Sequence, residues 1–207
     1  MSEEERTVHV VDDDEAILHS VGFLLRKAGH HVETYASGKI FLHAASPATK
    51  GCLVLDIRMP DVDGLEVQRL LADRGIGIPI IMLTGHGDVS LAVRAIKAGA
   101  IEFLEKPFDR ISLLNAIDQA FAHARHSKRS KIDAADAVTR LHVLTARERD
   151  VLEGMVQGQP NKLIAYELDI ATRTVEVHRA NLMTKLDCRS LSDVLRIAFA
   201  AGLGLQK

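Results

Sequence analysis

Short apolar runs alternate with amphipathic segments through the first 122 residues of the chain. Each run is bounded by turn residues and has the length of a buried strand, whereas the segments between runs carry apolar residues at helical spacing. Strands are predicted at residues 7–11, 31–35, 52–56, 79–83 and 100–105. Because a helical segment follows each strand, we predict a five-stranded, doubly wound parallel sheet of the α/β class.

Only helical patterns follow from residue 141 onward. Residues 145–148 and 190–193 have the pattern of capping boxes, which begin helices. Gly158-Gln159-Pro160 interrupts the pattern, and Asn161 is predicted to cap the next helix. A tight turn then leads into an amphipathic helix at 173–186. Two short helices, a turn and a third helix predict a helix-turn-helix inside an all-α, four-helix domain.

The two parts of the chain differ in charge. Residues 1–122 carry 12 Lys and Arg against 18 Asp and Glu, whereas residues 123–207 carry 14 against 10. An acidic part joined to a basic part indicates two domains with different partners, and the basic part permits a nucleic acid partner. We predict domains at 1–122 and 141–207 and a linker at 123–140. The linker lacks Gly and Pro and is predicted to be helical, with a flexible coil as the alternative.

The composition excludes several classes of protein. No apolar run approaches the roughly 20 residues that a membrane-spanning helix needs. The first residues are acidic and lack the pattern of a secretory signal, so we expect a cytoplasmic protein with no membrane partner. Cys52 and Cys188 are far apart in the chain and indicate neither a disulfide framework nor a zinc site.

Polar residues lie at the ends of four of the predicted strands. Asp12 and Asp13 follow the first strand, and Asp56 ends the third. Thr84 follows the fourth strand and Lys106 the fifth. Taken singly, these residues fit turn acids, a helix cap, a turn hydroxyl and a surface charge. Because the carboxyl ends of parallel strands form the ligand-binding edge of such sheets, their convergence on one edge favours a functional site.

The residue types at this edge suit phosphoryl transfer. Three carboxylates a few ångströms apart need a compensating cation, and Mg²⁺ with oxygen ligands meets that need. An Asp carboxylate can attack phosphorus and form an acyl phosphate. The charge of the transition state spreads over three oxygens, which Mg²⁺, the Lys106 ammonium and the Thr84 hydroxyl are suited to bind.

These residues also carry a resemblance to a known family. Asp12-Asp13, Asp56 with the Met-Pro-Asp-Val-Asp-Gly at 59–64, Thr84-Gly85 and Lys106-Pro107-Phe108 are similar to the signature of two-component response-regulator receiver domains. The resemblance covers residues 6–122 and implies a flavodoxin-like fold.

The resemblance implies that Asp56 accepts a phosphoryl group from a histidine of a sensor histidine kinase. It implies that Mg²⁺ binds to Asp12, Asp13, Asp56 and the main-chain carbonyl of Arg58. It places Thr84 and Lys106 on the phosphoryl group and implies a cis bond before Pro107. Phe103 matches the aromatic residue that, together with Thr84, forms the conformational switch of the family.

The basic part resembles the LuxR-type helix-turn-helix domain from about residue 140 to 203. The residues that carry this likeness are 144–148, 161–165, 174–179 and 185–186. With the receiver in front, the chain is similar to FixJ-like transcription regulators of the NarL/FixJ class. Ala171 departs from the Ser that this family commonly uses as the cap of the recognition helix, and Thr172 is the predicted substitute.

The helical period assigns candidate DNA contacts in the basic part. One side of the helix at 173–186 carries apolar residues together with His178, which we predict to be packed. The opposite side faces the major groove, and basic residues near the helix suit phosphates. Val177 suits a thymine methyl group and Asn181 an adenine. The candidate contacts are Lys162, Arg173, Thr174, Glu176, Val177, Arg179, Ala180, Asn181 and Lys185.

The two resemblances together imply a transcription factor that phosphorylation activates. Two receivers are expected to pair through their fourth helix, fifth strand and fifth helix, and so align two DNA-binding domains on a pseudo-palindromic promoter site. RNA polymerase is a further expected partner.

Three other functions fit part of the pattern. A phosphatase of the haloacid-dehalogenase type also uses an Asp nucleophile and Mg²⁺, but it needs a second Asp two residues on, where this chain has Arg58. An interaction module whose helical part binds protein is the second, and salt-dependent DNA binding would exclude it. The third is a transcription factor that works without phosphate, which the intact acidic pattern disfavours.

Overall fold

The computed structural model describes residues 7–85, 89–126 and 134–204. Within these ranges the chain forms two compact units, one α/β and one helical. The strands are β1 (Thr7–Val11), β2 (His31–Tyr35), β3 (Cys52–Asp56), β4 (Ile80–Thr84) and β5 (Glu102–Glu105). All of them pair in parallel, in the order β2-β1-β3-β4-β5. The predicted doubly wound, flavodoxin-like sheet is therefore confirmed.

Five helices alternate with these strands, as the sequence pattern predicts. They are α1 (Glu15–Lys27), α2 (Gly38–Ala44), α3 (Gly64–Asp73), α4 (Val89–Lys97) and α5 (Arg110–His126). Leu25 of α1 and Ile117 of α5 pack with Val8 and Val54 of the central strands, and all four are completely buried. Each such side chain contributes about 1.5–3 kcal/mol when it leaves water, so this layer holds the strand ends in place.

Short polar side chains begin several of these helices. Asp14, Ser37 and Asp63 each accept a backbone N–H at the start of α1, α2 and α3, respectively. Asp109 accepts the amide of Ser112 in the first turn of α5. Each cap of this kind stabilises its helix by about 1 kcal/mol. Asp88, the predicted cap of α4, lies outside the described residues.

The second unit is helical. Besides α4, which groups with this unit, its elements are α6 (Ala134–Leu141), α7 (Ala146–Val156), α8 (Asn161–Glu167), α9 (Thr172–Lys185) and α10 (Leu191–Ala200). Both predicted capping boxes are present, at Thr145–Glu148 for α7 and Ser190–Asp193 for α10. α9 packs against α7 and α8, which is the helix-turn-helix arrangement that the sequence predicts.

Two predicted caps in this unit are wrong. Pro160 occupies the N-cap position of α8, and Asn161 is the first helical residue. The Asn161 side chain instead accepts a hydrogen bond from Arg179, a tertiary contact that removes it from capping. Ala171 occupies the N-cap position of α9 without a side-chain cap, and Thr172 lies one residue inside the helix.

The predicted helical linker is partly described. α5 extends to His126 and α6 begins at Ala134, while residues 127–133 lie outside the described part of the chain. α6 packs on α10 with Ala137 and Leu141 buried, so this end of the predicted linker lies in the helical unit. No described helix combines the length and the apolar character that crossing a membrane requires.

Candidate functional site

The carboxyl edge of the sheet brings three charged groups into direct contact. Asp12 lies immediately after β1, Asp56 ends β3 and Lys106 immediately follows β5. The Lys106 Nζ lies 2.6 Å from the Asp12 Oδ2 and 2.6 Å from the Asp56 Oδ1. Asp12 is 1% exposed and Asp56 4% exposed, so both carboxylates lie within the protein. A single ammonium therefore compensates two buried carboxylates from different strands.

At this edge, burial and the bonds between Lys106 and the two carboxylates shift pKa values in opposite directions. Burial raises the pKa of Asp56 above its ordinary value, and the Asp12 charge adds to this, whereas the hydrogen bond and charge of Lys106 oppose it. Burial also disfavours the charged form of Lys106, but the bonds to Asp12 and Asp56 outweigh it and raise the pKa of Lys106. The lysine therefore stays an ammonium while it faces both carboxylates.

A third carboxylate completes a candidate metal site. One oxygen from each of Asp12, Asp13 and Asp56 lies within 4.8 Å of the others, and Asp13 is exposed to water. Oxygen atoms from carboxylates and water are the donor set that Mg²⁺ takes. The backbone amide of Arg58 donates to the Asp56 carboxylate, which places the start of the β3–α3 loop beside the cluster. These residues fit the predicted ion, and receiver domains generally bind Mg²⁺ through such acidic groups.

We expect Asp13→Asn to weaken Mg²⁺ binding by about tenfold or more, because even outer-shell changes at metal sites have effects of that size. Calorimetric titration of the full chain is the suitable measurement, since the protein contains no Trp. Asp14→Asn is the matched control: Asp14 is a neighbouring exposed acid, and Asn preserves its cap on α1. Equal losses in both variants would mean that overall charge, not the cluster, attracts the ion.

Gly64 allows the β3–α3 loop to lie against the end of β3. Its backbone N–H donates to the Ile57 carbonyl at 2.8 Å, and Asp63 caps the helix that Gly64 begins. A Cβ atom at Gly64 would lie 2.3 Å from the Asp56 carbonyl oxygen and 2.9 Å from the Ile57 Cα. Both neighbours are backbone atoms, so only glycine fits without moving the segment that carries Asp56.

Thr84 and Phe103, the remaining predicted receiver residues, lie in β4 and β5. Thr84 ends β4 and is 3% exposed, and its hydroxyl donates to the Gly85 carbonyl. The Lys106 N–H donates to the Thr84 carbonyl at 2.8 Å, which ties the two strand ends together. The Lys106–Pro107 bond is cis, as expected. Phe103 lies in β5 opposite Met82 and is partly exposed.

A second candidate surface lies on α9 in the helical unit. Val175 and Leu182 are completely buried, which orients the helix. Its other side exposes Thr184 and four of the residues predicted to contact DNA, namely Glu176, Val177, Ala180 and Asn181. His178 and Thr174 are partly buried. The structure therefore presents the predicted reading face to solvent.

The four predicted phosphate-binding cations fall into two groups. Lys162 at the start of α8 and Arg173 in the first turn of α9 are exposed. Arg179 donates to the Asn161 Oδ1, and Lys185 forms an ion pair with the nearly buried Glu148. Sequence reasoning identified Glu148 only as a capping residue, because nothing in the local pattern indicates a partner 37 residues away.

Comparison with protein families assigns each of the two parts of the chain to a known type of domain. Residues 8–118 match the response regulator receiver domain, and residues 142–198 match the luxR family of bacterial regulatory proteins. The chain belongs to the response regulators. It is a phosphorylation-dependent transcription regulator with a LuxR-type DNA-binding domain, and not a classical enzyme.

Individual relatives of this response regulator cover nearly its whole length. It is 48% identical to the transcriptional regulatory protein FixJ of Rhizobium meliloti over 96% of this chain and 97% of that protein. It is 43% identical to the response regulator TmoT of Ectopseudomonas mendocina over 95% and 90% of the two chains. The crystal structure of full-length FixJ from B. japonicum aligns with a TM-score of 0.57 at 44% identity, covering 96% of this chain and 98% of that one. These findings place the chain in the FixJ-like group of the NarL/FixJ class.

Proposed function

We propose that Asp56 is the phosphoacceptor of this response regulator. A carboxylate oxygen of Asp56 attacks the phosphorus of a phosphohistidine in the sensor kinase, the phosphorus–nitrogen bond breaks, and an acyl phosphate forms. The observation that carries this assignment is the contact of the Lys106 ammonium with both Asp56 and Asp12. Phosphorylation of Asp56 adds negative charge beside the Lys106 ammonium, which can compensate it.

The other residues at this edge take supporting roles in the proposal. Lys106 transfers its contact from the Asp56 carboxylate to a phosphoryl oxygen, and the Thr84 hydroxyl turns from Gly85 toward another. Asp12, Asp13, Asp56 and the main-chain carbonyl of Arg58 would hold Mg²⁺, which would supply further positive charge for the transferred group. Hydrolysis of the acyl phosphate at the same site returns the protein to its resting form.

The switch in this proposal runs from Thr84 to β5. Thr84 moves toward the phosphoryl group, and Phe103 follows into the space that Thr84 leaves. The surface of α4, β5 and α5 changes, and two receivers pair through it to form a homodimer. Pairing places two helix-turn-helix units on a pseudo-palindromic promoter, where RNA polymerase is a further partner. The protein acts in the cytoplasm, with domains at 1–122 and 141–207.

DNA reading in this proposal uses the exposed side of α9. Val177 is 52% exposed and offers an apolar contact to a thymine methyl group, and Asn181 offers paired hydrogen bonds to adenine. Ala180 allows the helix to approach the bases closely. Glu176 is acidic in the same face, so it disfavours contact with phosphates and favours a cytosine amino group.

Sedimentation velocity tests the proposed switch directly. The full chain with Mg²⁺ is measured before and after addition of acetyl phosphate, and the acyl phosphate is quantified in the same sample. We expect a shift from monomer to dimer together with tighter binding to promoter DNA. Stoichiometric phosphate on the receiver with no change in either property would contradict the proposal.

A further inference from the structure

Two basic residues of α9 form bonds inside the helical unit. The Nζ of Lys185, the last residue of α9, lies 2.7 Å from the Oε2 of Glu148 in the first turn of α7. The Nη1 of Arg179, in the middle of α9, donates to the Asn161 Oδ1 at the start of α8, at 2.5 Å. These four residues are called the α9 clasp below. The clasp connects the recognition helix to both helices that support it.

The Lys185 contact is made to a carboxylate that lies inside the protein. The Glu148 side chain is 4% exposed, and the same Oε2 accepts the Thr145 N–H at 2.8 Å. The hydrogen bond from Lys185 holds the pKa of Glu148 below its ordinary value. Moving Lys185 to a DNA phosphate would leave this buried carboxylate without its cation, which is strongly unfavourable.

Arg179 is withdrawn from the surface, whereas Lys185 stays exposed with its ammonium against Glu148. Arg179 is partly buried, and this burial lowers the pKa of its guanidinium. Its bond to Asn161 explains why Asn161 does not cap α8. One of the N–H donors of this guanidinium is therefore already used within the unit.

Lys162 and Arg173 differ from the clasp residues. Both are exposed; Lys162 is the second residue of α8, and Arg173 lies in the first turn of α9. Arg173 lies one helical turn before Val177 on α9, and Lys162 lies on α8, which packs against α9. Their ammonium and guanidinium groups can therefore reach the DNA backbone without giving up a buried partner.

We propose that Lys185 and Arg179 position the recognition helix through Glu148 and Asn161, and that Lys162 and Arg173 supply its phosphate contacts. The proposal rests on DNA binding by the LuxR-type domain and revises the phosphate contacts that the sequence predicts. The clasp keeps the exposed side of α9 at a fixed angle to α7 and α8. Binding sites of this kind depend on such support, because a small displacement of the contacting side chains weakens every contact.

The salt dependence of DNA binding separates the two roles. Each phosphate contact contributes about 0.9 to the slope of log K against log salt concentration, because binding releases condensed counterions. With the full-length chain and a labelled duplex of arbitrary sequence, between about 50 and 200 mM salt, we expect Lys162→Met or Arg173→Met to reduce the slope by about 0.9. Lys185→Met should leave the slope at the wild-type value. A reduction of about 0.9 in Lys185→Met would overturn the proposal.

Hydrogen exchange measured on the free full-length chain tests the positioning role without DNA. We expect amides in the last turn of α9 to exchange about threefold to tenfold faster in Lys185→Met and in Glu148→Gln, which keeps an acceptor for the Thr145 N–H. The double variant should exchange no faster than either single variant, and Lys185→Arg should restore protection. Lys162→Met is the matched control and should exchange like the wild type. Unchanged exchange in Lys185→Met would contradict the clasp, whatever the duplex measurement shows.

Discussion

Asp56→Asn should abolish formation of the acyl phosphate. The amide oxygen of Asn is a poor nucleophile, and the amide adds no negative charge beside Lys106. Incubation with acetyl phosphate and Mg²⁺, followed by intact-mass spectrometry, should show phosphate on the wild type and none on the variant. The variant should also sediment like the unphosphorylated wild type after the same treatment.

The control for this experiment is Asp61→Asn. Asp61 lies in the same loop region after β3, but it is exposed and faces Lys39 at 3.3 Å rather than the acidic cluster. The Asp61→Asn variant should take up phosphate as the wild type does. If Asp56→Asn still acquired phosphate, another residue would be the acceptor and the proposed chemistry would be wrong.

Loss of phosphate uptake in Asp56→Asn should not reflect unfolding. Burial and the Asp12 charge raise the pKa of Asp56 in the folded protein. A carboxyl group with a raised pKa stabilises the fold below its unfolded pKa, and this contribution is lost as the pH rises through the folded pKa. At neutral pH the Asn variant should therefore be more stable, by about 1 kcal/mol. Urea unfolding should show this difference at pH 7, and the difference should shrink as the medium is acidified.

Gly64→Ala should damage both the stability of the receiver and its phosphorylation. The new Cβ would meet two backbone positions at the end of β3, neither of which can rotate away. Overpacking of this kind costs about 1–3 kcal/mol. Because the loop that carries Arg58 must shift to relieve the contact, we expect slower phosphate uptake even in the folded fraction. Urea unfolding and a time course with acetyl phosphate measure the two effects.

Gly77→Ala provides the comparison for Gly64→Ala. A Cβ at Gly77 meets no atom within 4 Å, so the substitution should leave stability and phosphate uptake close to those of the wild type. The same change of residue type is thus tested at a crowded and at an open position. Equal effects at the two sites would show that glycine flexibility, rather than the close approach to Asp56, matters.

Much of the fold follows from local patterns in the sequence. Buried runs such as residues 52–56 predict strands because side chains on both faces must be apolar, and both capping boxes begin helices because their hydrogen bonds form within four residues. The parallel pairing of the strands follows from their alternation with helices. Asp12, Asp56 and Lys106 meet because parallel strands end at the same edge, so their contact was predictable before any distance was known.

The roles of several residues could not be predicted because they depend on contacts between segments that are distant in the sequence. Asn161 has the chemistry of a cap, but Arg179 recruits it from another helix. Lys185 has the character of a phosphate ligand, but Glu148 holds it. Gly64 belongs to the receiver signature in the sequence, but its close approach to the Asp56 backbone appears only in the structure, since it depends on the distance between two backbone segments. Local propensity does not encode such distances.

The double contact of Lys106 has a consequence for the synthesis of the protein. The two buried carboxylates, Asp12 and Asp56, share one cation from the chain itself, and the third acid, Asp13, is exposed to water. A newly made receiver can therefore reach its folded state before it encounters Mg²⁺, unlike small metal-dependent domains, for which binding and folding are one event. Folding of the receiver and binding of the predicted Mg²⁺ are then separate steps.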